Sequence, residues 1–231
     1  PPPRTGQQPF QRTAKQMRFG MNGSTNKSVC IFYHKNALKI YHHEWVEQCV
    51  DSVLSQTYKD FDIIELNYGG GQERFTNGQF FSLDLENHIK AMNFLITYAF
   101  ASGYDVVFNT NMDDHFHPSR FELQIKAIEN GAQLVASNFR YFGARDKEMN
   151  MTRFDNIGQQ LAKGHNVIAH PVVAMHRSFW DADLHYENVL GSEDLRLWQK
   201  AYRKGKRFVI LPECLLYYRL HENQVTKIYT K

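Results

Sequence analysis

The chain has 231 residues, with 27 basic and 24 acidic side chains and a formal net charge of +3. This length allows one large domain with a sizeable core, and the balanced charge does not indicate a nucleic-acid partner. No apolar run is long enough to cross a bilayer, and no signal peptide is visible. Cys30, Cys49 and Cys214 are widely spaced, which favours neither a disulfide framework nor a zinc site. We therefore predict a cytoplasmic location, in a reducing compartment.

The first 27 residues differ in composition from the rest of the chain. They are rich in Pro, Gln, Gly and Ser and show little hydrophobic periodicity. This composition predicts a flexible linker or arm over residues 1–27, followed by a folded domain over residues 28–231. Because the sequence opens with Pro1 instead of Met, we expect it to be part of a longer chain.

From residue 29 onward, strand-like and helix-like segments alternate. The runs "VCIFYH", "FDIIEL" and "YDVVFNT" are apolar and β-prone, which predicts buried strands. A long helix is expected over residues 84–102, ending at Gly103. The segment "EWVEQCVDSVLSQ" predicts an earlier helix with one buried face. The residues of that face are Val46, Cys49, Val50, Val53 and Leu54.

The second half of the chain is less regular. Pro118 is expected to begin a helix that ends at Gly131, and "LVASNFRYF", "NVIAHPVVAMHR", "FVIL" and "CLLYYRLH" predict strands. Residues 143–164 are polar and predict an irregular loop over a site. The segment "SEDLRLWQKAYRKG" predicts a helix capped by Ser192, with Trp198 and Tyr202 in the core. The alternation predicts an α/β domain with a mostly parallel central sheet flanked by helices.

The segment "NTNMDDHFHP", residues 109–118, places two adjacent carboxylates and two histidines where a buried strand should end. Asp-Asp before a proline is common turn chemistry, because Asp bonds nearby amides and Pro fits a helix's first turn. Carboxylates at the carboxyl end of a strand can also form a metal or phosphate site. Taken alone, the segment favours neither interpretation. His115 and His117 are not assigned to metal, since such a turn is more often solvated.

Three longer segments carry a family resemblance. They are "HHEWVEQCVDSVLSQTYKDFDIIELNYGG", "FNTNMDDHFHPSRFELQIKAI" and "GSEDLRLWQKAYRKGKRFVILPECLLYYRLHENQVT". In this order they resemble the family 2 glycosyltransferases of the GT-A fold, and the resemblance covers roughly residues 28–226. It implies a nucleotide-sugar-binding half over residues 28–118 and an acceptor-binding half over residues 119–231. It also implies transfer of a sugar from a nucleoside diphosphate to an acceptor hydroxyl, with inversion at the anomeric carbon.

The resemblance implies a divalent cation, Mn²⁺ or Mg²⁺, because the leaving diphosphate develops negative charge that a divalent cation held by hard oxygen ligands can offset. Asp113 occupies the last position of the family's D-x-D motif and is the main expected ligand, with Asp114 beside it. His221 matches a histidine that reaches the metal or the phosphates in many relatives. Arg219 could bond a phosphate oxygen.

The resemblance also implies a general base for the attacking hydroxyl. Asp194 matches the family's base, and Glu193 would orient it or the acceptor. Their alternative role is structural, since acids in a helix's first turn satisfy its dipole. His170 is as compatible with lining the sugar pocket as with a structural role.

Two positions depart from the family pattern. Asn67 and Asn111 stand where the family usually has Asp, so they carry no charge for a cation. Nucleotide choice and metal dependence are therefore less determined by the resemblance than the fold is. The residues that the resemblance places around the nucleotide are Tyr33, His34, Asn36, Asn67, Asn93, Asn111, Met112 and Arg219.

We therefore expect a glycosyltransferase of the hexosyltransferase type, with a uridine diphosphate sugar as donor and a glycan, a protein or a lipid-linked molecule as acceptor. Two alternatives remain. A degenerate relative could bind a nucleotide or glycan without turnover, which Asn67 and Asn111 motivate. A nucleotidyltransferase would need a Gly-rich basic phosphate loop after the first strand, and "YHKNALKIYHHE" does not provide one. The sequence does not identify the sugar, the acceptor or the linkage.

Overall fold

The structure is a computed structural model of the chain, and it describes residues 26–154, 156–222 and 224. All of the predicted arm except residues 26 and 27 lies outside this range. In the described part of the chain, no helix has both the length and the apolar character needed to span a bilayer.

The first half alternates strands and helices as predicted. Its elements are β1 (Ser28–His34), α1 (His43–Leu54), β2 (Phe61–Asn67), β3 (Gln79–Ser82), α2 (His88–Ala101), β4 (Val106–Asn109) and β5 (His115–Phe116). The second half contains α3 (Arg120–Glu129), β6 (Leu134–Gly143), β7 (Lys147–Met149), α4 (Ile157–Ala162), β8 (Ala174–His176), α5 (Glu193–Arg203) and β9 (Phe208–Leu220).

All the strands of the described residues join one sheet, in the order β3-β2-β1-β4-β8-β6-β9-β5, with β7 paired to β6. Strands β3, β2, β1 and β4 are parallel, and β6 and β9 pair in parallel over their length. Short antiparallel pairs connect β8 to β4 and to β6, and so join the two halves. The predicted α/β fold with a mostly parallel central sheet is confirmed.

The helices of the first half follow the predicted apolar spacing, with two differences. In α1, Val46, Cys49, Val50 and Val53 are buried, whereas Leu54 is 53% exposed because it is the last residue of the helix. Helix α2 begins at His88, four residues later than predicted, because the side chain of Asn87 accepts a hydrogen bond from the Lys90 amide and caps it there.

The second half departs further from the prediction. "NVIAHPVVAMHR" forms a 3₁₀ turn over His170–Val172 and only a three-residue strand, because Pro171 supplies no amide donor. Residues 143–164 contain β7 and α4 and are not irregular throughout. Tyr202 is 44% exposed and lies outside the core, whereas Trp198 is fully buried.

The strand through Pro212 also differs from the prediction of two strands. β9 continues through this proline, and the register with β6 shifts between Ser137 and Phe139. Asn138, inside the shift, donates its side-chain amide to the Pro212 carbonyl at 2.8 Å. The bulge accommodates a residue that cannot donate to the ladder.

Candidate active site

A cavity of about 510 Å³ opens where β1 and β4 end, between the two halves of the sheet. This is the position where open α/β sheets bind ligands. Seven of the predicted site residues line it: Tyr33, His34, Asn111, Met112, Asp113, Glu193 and Asp194. The other predicted site residues lie outside the lining: Asn36, Asn67, Asn93, Asp114, Arg219 and His221.

Asp113 and His221 are brought together across the sheet. His221 Nε2 lies 2.9 Å from Asp113 Oδ2, and both side chains are buried. Tyr41 and Trp45 pack against the imidazole, with ring centroids at 5.8 and 5.0 Å. His221 Nδ1 is buried and has no hydrogen-bond partner among the described residues. The Asp113 carboxylate, which lines the cavity, therefore contacts an imidazole that packing against two aromatic rings holds in place.

Asp114 points away from this pair. Its Oδ1 accepts the Arg219 amide at 2.8 Å, and its Oδ2 is buried with no hydrogen-bond partner in the part of the chain that the structure describes. Burial and the neighbouring Asp113 carboxylate raise the pKa of Asp114 well above its usual range. Arg219 bonds the Asp113 carbonyl and the Gln48 side chain, and its guanidinium lies 4.7 Å from the Trp45 ring. In this arrangement, Asp114 and Arg219 hold β9 against the segment that carries Asp113.

Asp194 lies at the start of α5 and faces the cavity. Its Oδ2 accepts a hydrogen bond from the Asn166 side chain at 2.6 Å, and its Oδ1 accepts the Leu195 amide at 2.7 Å. Burial raises the pKa of Asp194 above its usual range, with partial compensation from His170. The result is a carboxylate that is held in place and more basic than an exposed aspartate.

Glu193 is held from the opposite half of the domain. Its Oε1 lies 3.0 Å from Nε2 of His88, the first residue of α2, and its Oε2 is buried and bonds no other described residue. Burial raises the pKa of Glu193, but the hydrogen bond with His88, a backbone hydrogen bond and the charges of His88 and His170 together outweigh it, so the pKa lies below its usual range. Glu193 and Asp194 therefore have pKa values moved in opposite directions.

The first strand brings a tyrosine and a histidine to the cavity. The Tyr33 hydroxyl donates to Asn111 Oδ1 at 2.9 Å, so the amide that replaces the family's first Asp is oriented by β1. The Ala37 amide donates to His34 Nδ1, which leaves His34 Nε2 to donate to Glu65 Oε1 at 3.2 Å. His34 is therefore fixed from behind the cavity.

Glu65, which the sequence interpretation missed, organises the loop that contains Phe75 and Thr76. It is fully buried and accepts hydrogen bonds from the Phe75 and Thr76 amides and from the Thr76 hydroxyl, at 2.7–2.9 Å. An acidic residue inside an apolar strand is the signal that marks it, since a buried carboxylate needs several donors.

Replacing Glu65 with Ala should lower the free energy of unfolding by about 3 kcal/mol, because the loss leaves buried donors unpaired. Urea denaturation measures this difference. Glu129→Ala, at the exposed end of α3, is the matched control and should change it by no more than about 0.5 kcal/mol. Equal stability of the two variants would show that the loop does not depend on Glu65.

Asn67 and Asn36 bond each other at the end of β1 and β2. Asn67 Nδ2 donates to Asn36 Oδ1 at 3.0 Å, and Asn67 Oδ1 accepts the amides of Asn36 and Gly69. Asn36 has a positive φ of 53°, which Asn tolerates better than most residues. The structure thus places this pair in the turn behind the cavity.

Asn93 connects α2 to the second half of the chain. Its side-chain amide exchanges two hydrogen bonds with the Tyr186 backbone, at 2.8 and 3.0 Å. His170 does line the cavity, and its Nε2 lies 2.9 Å from the Tyr186 hydroxyl. Burial lowers the pKa of His170. His88 and Asn166 also line the cavity, and no motif in the sequence indicated them.

The chain is similar to known proteins in sequence and in fold. No protein-family model matches the chain. The chain is 25% identical over 197 residues to the O-antigen biosynthesis glycosyltransferase WbnJ of Escherichia coli, a match that covers 80% of this chain and 78% of WbnJ. This relationship supports the glycosyltransferase class of enzyme that the sequence predicts.

Solved structures share the fold at lower identity. S. aureus TarS 1–349 in complex with UDP-GlcNAc matches with a TM-score of 0.67 and 14% identity, over 87% of this chain. The mannosyltransferase PcManGT of Pyrobaculum calidifontis, in complex with GDP-Man and Mn²⁺, matches with a TM-score of 0.59 and 12% identity, over 83% of this chain. This chain spans only 60% and 56% of those two structures. The chain is thus an enzyme of the glycosyltransferase class with a GT-A-like fold.

Proposed function

We propose that the protein is an inverting glycosyltransferase of family 2 that moves a sugar from a nucleoside diphosphate, most simply uridine diphosphate, to an acceptor hydroxyl. The observation that carries this proposal is that Asp113 and Asp194 face one cavity of about 510 Å³. Asp113 follows β4 in the first half of the chain, and Asp194 lies at the start of α5 in the second half. A donor site and a base site are thereby joined in a single space large enough for small substrates.

In this proposal Asp194 acts as the general base. Its carboxylate accepts the proton of the acceptor hydroxyl while that oxygen attacks the anomeric carbon and the diphosphate leaves from the opposite face. One displacement inverts the configuration. The raised pKa of Asp194 suits the role, because a base is most effective when its pKa approaches the working pH. Asn166 positions the carboxylate, and Glu193, held by His88, orients it or the acceptor.

The proposed site fits a divalent cation only in part. Among the described residues, no group of three or more His, Cys, Asp or Glu side chains stands together in a metal-binding arrangement. Asp113 and His221 form a pair that would supply two ligands, and phosphate oxygens of the donor would supply others. Binding through a carboxylate together with substrate phosphates is a mode that Mg²⁺ commonly uses. The cation would offset charge on the leaving diphosphate. Asp114, bonded to the Arg219 amide, would support this pair from behind.

We expect uridine diphosphate to raise the melting temperature of the protein, and Mn²⁺ to increase that shift, because a ligand that binds only the native state stabilises it. Thermal denaturation with uridine, guanosine and adenosine diphosphates, each with and without Mn²⁺, measures the effect. A ligand at about 100 times its Kd contributes about 2.7 kcal/mol. Equal shifts with all three nucleotides, indifferent to the cation, would count against the donor site.

The binding-module alternative has one observation in its favour. The side chains of Asn67 and Asn36 are engaged with each other and with nearby backbone, so neither is presented to the cavity. Turnover separates the two functions, because a binding module would bind the nucleotide sugar without consuming it.

A further inference from the structure

The part of the cavity that lies in the acceptor half has an unusual lining. Six side chains form what we call the apolar wall: Phe139, Tyr141, Met149, Met151, Ile168 and Tyr218. Three of them form an aromatic group on β6 and β9, with ring centroids 5.1–6.1 Å apart. The wall and Asp194 border the same space, so a molecule that fills this space with its hydroxyl at Asp194 would also contact the wall.

Three polar side chains that line the same cavity, those of Asn166, His170 and Gln224, are already engaged. Asn166 donates to Asp194 and accepts the Ile168 amide at 3.3 Å. Gln224 donates to the Arg219 carbonyl at 2.6 Å and accepts the His221 amide at 3.3 Å. His170 Nε2 bonds the Tyr186 hydroxyl, and its Nδ1 lies 3.4 Å from the Asn109 amide.

This arrangement is poorly suited to a second sugar ring at the wall. The hydroxyls of such a ring would give up water, and the side chains of Asn166, Gln224 and His170 already have hydrogen-bond partners of their own. Burying an unpaired hydroxyl is unfavourable, whereas burying an alkyl or aryl group here is favourable. The two methionines add flexible side chains that adapt to irregular apolar shapes.

We propose that the acceptor is a hydroxyl compound whose group next to the reacting sugar is apolar, an alkyl or aryl aglycone seated on the apolar wall. This inference rests on the proposed function, because it assigns the wall to the acceptor. It selects, from the broad range of possible acceptors, those in which the reacting unit is linked to an apolar chain or ring.

The test compares binding of hexyl β-glucoside and methyl β-glucoside by isothermal titration calorimetry, in the presence of uridine diphosphate and Mn²⁺. The hexyl compound should bind at least about tenfold more tightly, the gain expected from burying about two methylene groups. Met149→Ser should reduce this preference several-fold. Met149→Leu, which stays apolar with a similar volume, should keep it. Leu54→Ser removes an exposed apolar side chain on α1 and should also leave it unchanged.

Several results would overturn the inference. They are equal affinity for the two glucosides, no binding of either, or a hexyl preference that Met149→Ser does not alter. Equal affinity would identify the aromatic residues as a platform for a sugar face. These failures leave the proposed function intact if the protein transfers sugar from any donor. A hexyl preference without transfer from any nucleotide sugar would refute both the acceptor assignment and the proposed function.

Discussion

Replacing Asp194 with Asn is expected to slow sugar transfer by at least about a hundredfold while leaving donor affinity near the wild-type value. A general base acts on the proton of the attacking hydroxyl, so its loss lowers turnover without removing ground-state contacts to the donor. General bases contribute about 10²- to 10⁴-fold in rate. Steady-state transfer kinetics and donor titration measure the two quantities separately.

The stability of the same variant distinguishes this role from a structural one. If Asp194 serves only the helix dipole, Asn should cost about 0.3 to 1 kcal/mol of stability and little activity. We expect stability close to the wild type, because removal of a buried charge offsets the loss of one hydrogen-bond acceptor. A fully active and slightly destabilised variant would contradict the assignment.

The pH dependence of the wild type provides a second check on Asp194. The base must be deprotonated, and its pKa is raised. Transfer should therefore decline on acidification at a pH above about 3.9, the usual pKa of aspartate.

Replacing Asp113 with Ala is expected to weaken donor binding in the presence of Mn²⁺ by at least about tenfold, or about 1.4 kcal/mol. Asp113 is the carboxylate that both lines the cavity and contacts His221. Without it, the cation retains one of the two proposed protein ligands. The cation-dependent part of the thermal shift by uridine diphosphate should disappear, and the cation-independent part should remain.

One further variant of Asp113 and one control variant separate the effect of the charge on donor binding from an effect on folding. Asp113→Asn keeps an oxygen that can accept from His221 but removes the charge, so it should behave like Ala in cation dependence. Asp51→Ala removes an exposed carboxylate on α1 and should change neither quantity. Cation-dependent donor binding that survives in both Asp113 variants would exclude this residue as a metal ligand.

The fold of the first half could be predicted because its signals are local. The apolar period of α1 and α2 and the β-prone runs of β1, β2 and β4 each lie within a few residues. The second half depends on pairings that periodicity does not reveal. Pro212 suggests a break in a strand, yet β9 continues because β6, distant in sequence, shifts its register beside it.

The candidate site could be predicted only where a motif local in the sequence marked its residues. Asp113 and Asp194 follow a family motif, so the resemblance indicated them, and the structure places both at one cavity. His88, Asn166 and Glu65 belong to no motif, and their importance comes from partners. His88 meets Glu193 from 105 residues away, a contact that only the folded chain creates.

The most direct test of the account is a turnover measurement. Purified protein is incubated with a panel of uridine and guanosine diphosphate sugars, with Mn²⁺ or with a chelator, and release of the nucleoside diphosphate is followed with and without added glycosides. If the protein is a glycosyltransferase with Asp194 as its general base, at least one donor is consumed in the presence of Mn²⁺ and an added glycoside accelerates release of the nucleoside diphosphate. Asp194→Asn then abolishes this acceleration. Binding of a nucleotide sugar without consumption of any donor would contradict this function and identify the protein as a binding module.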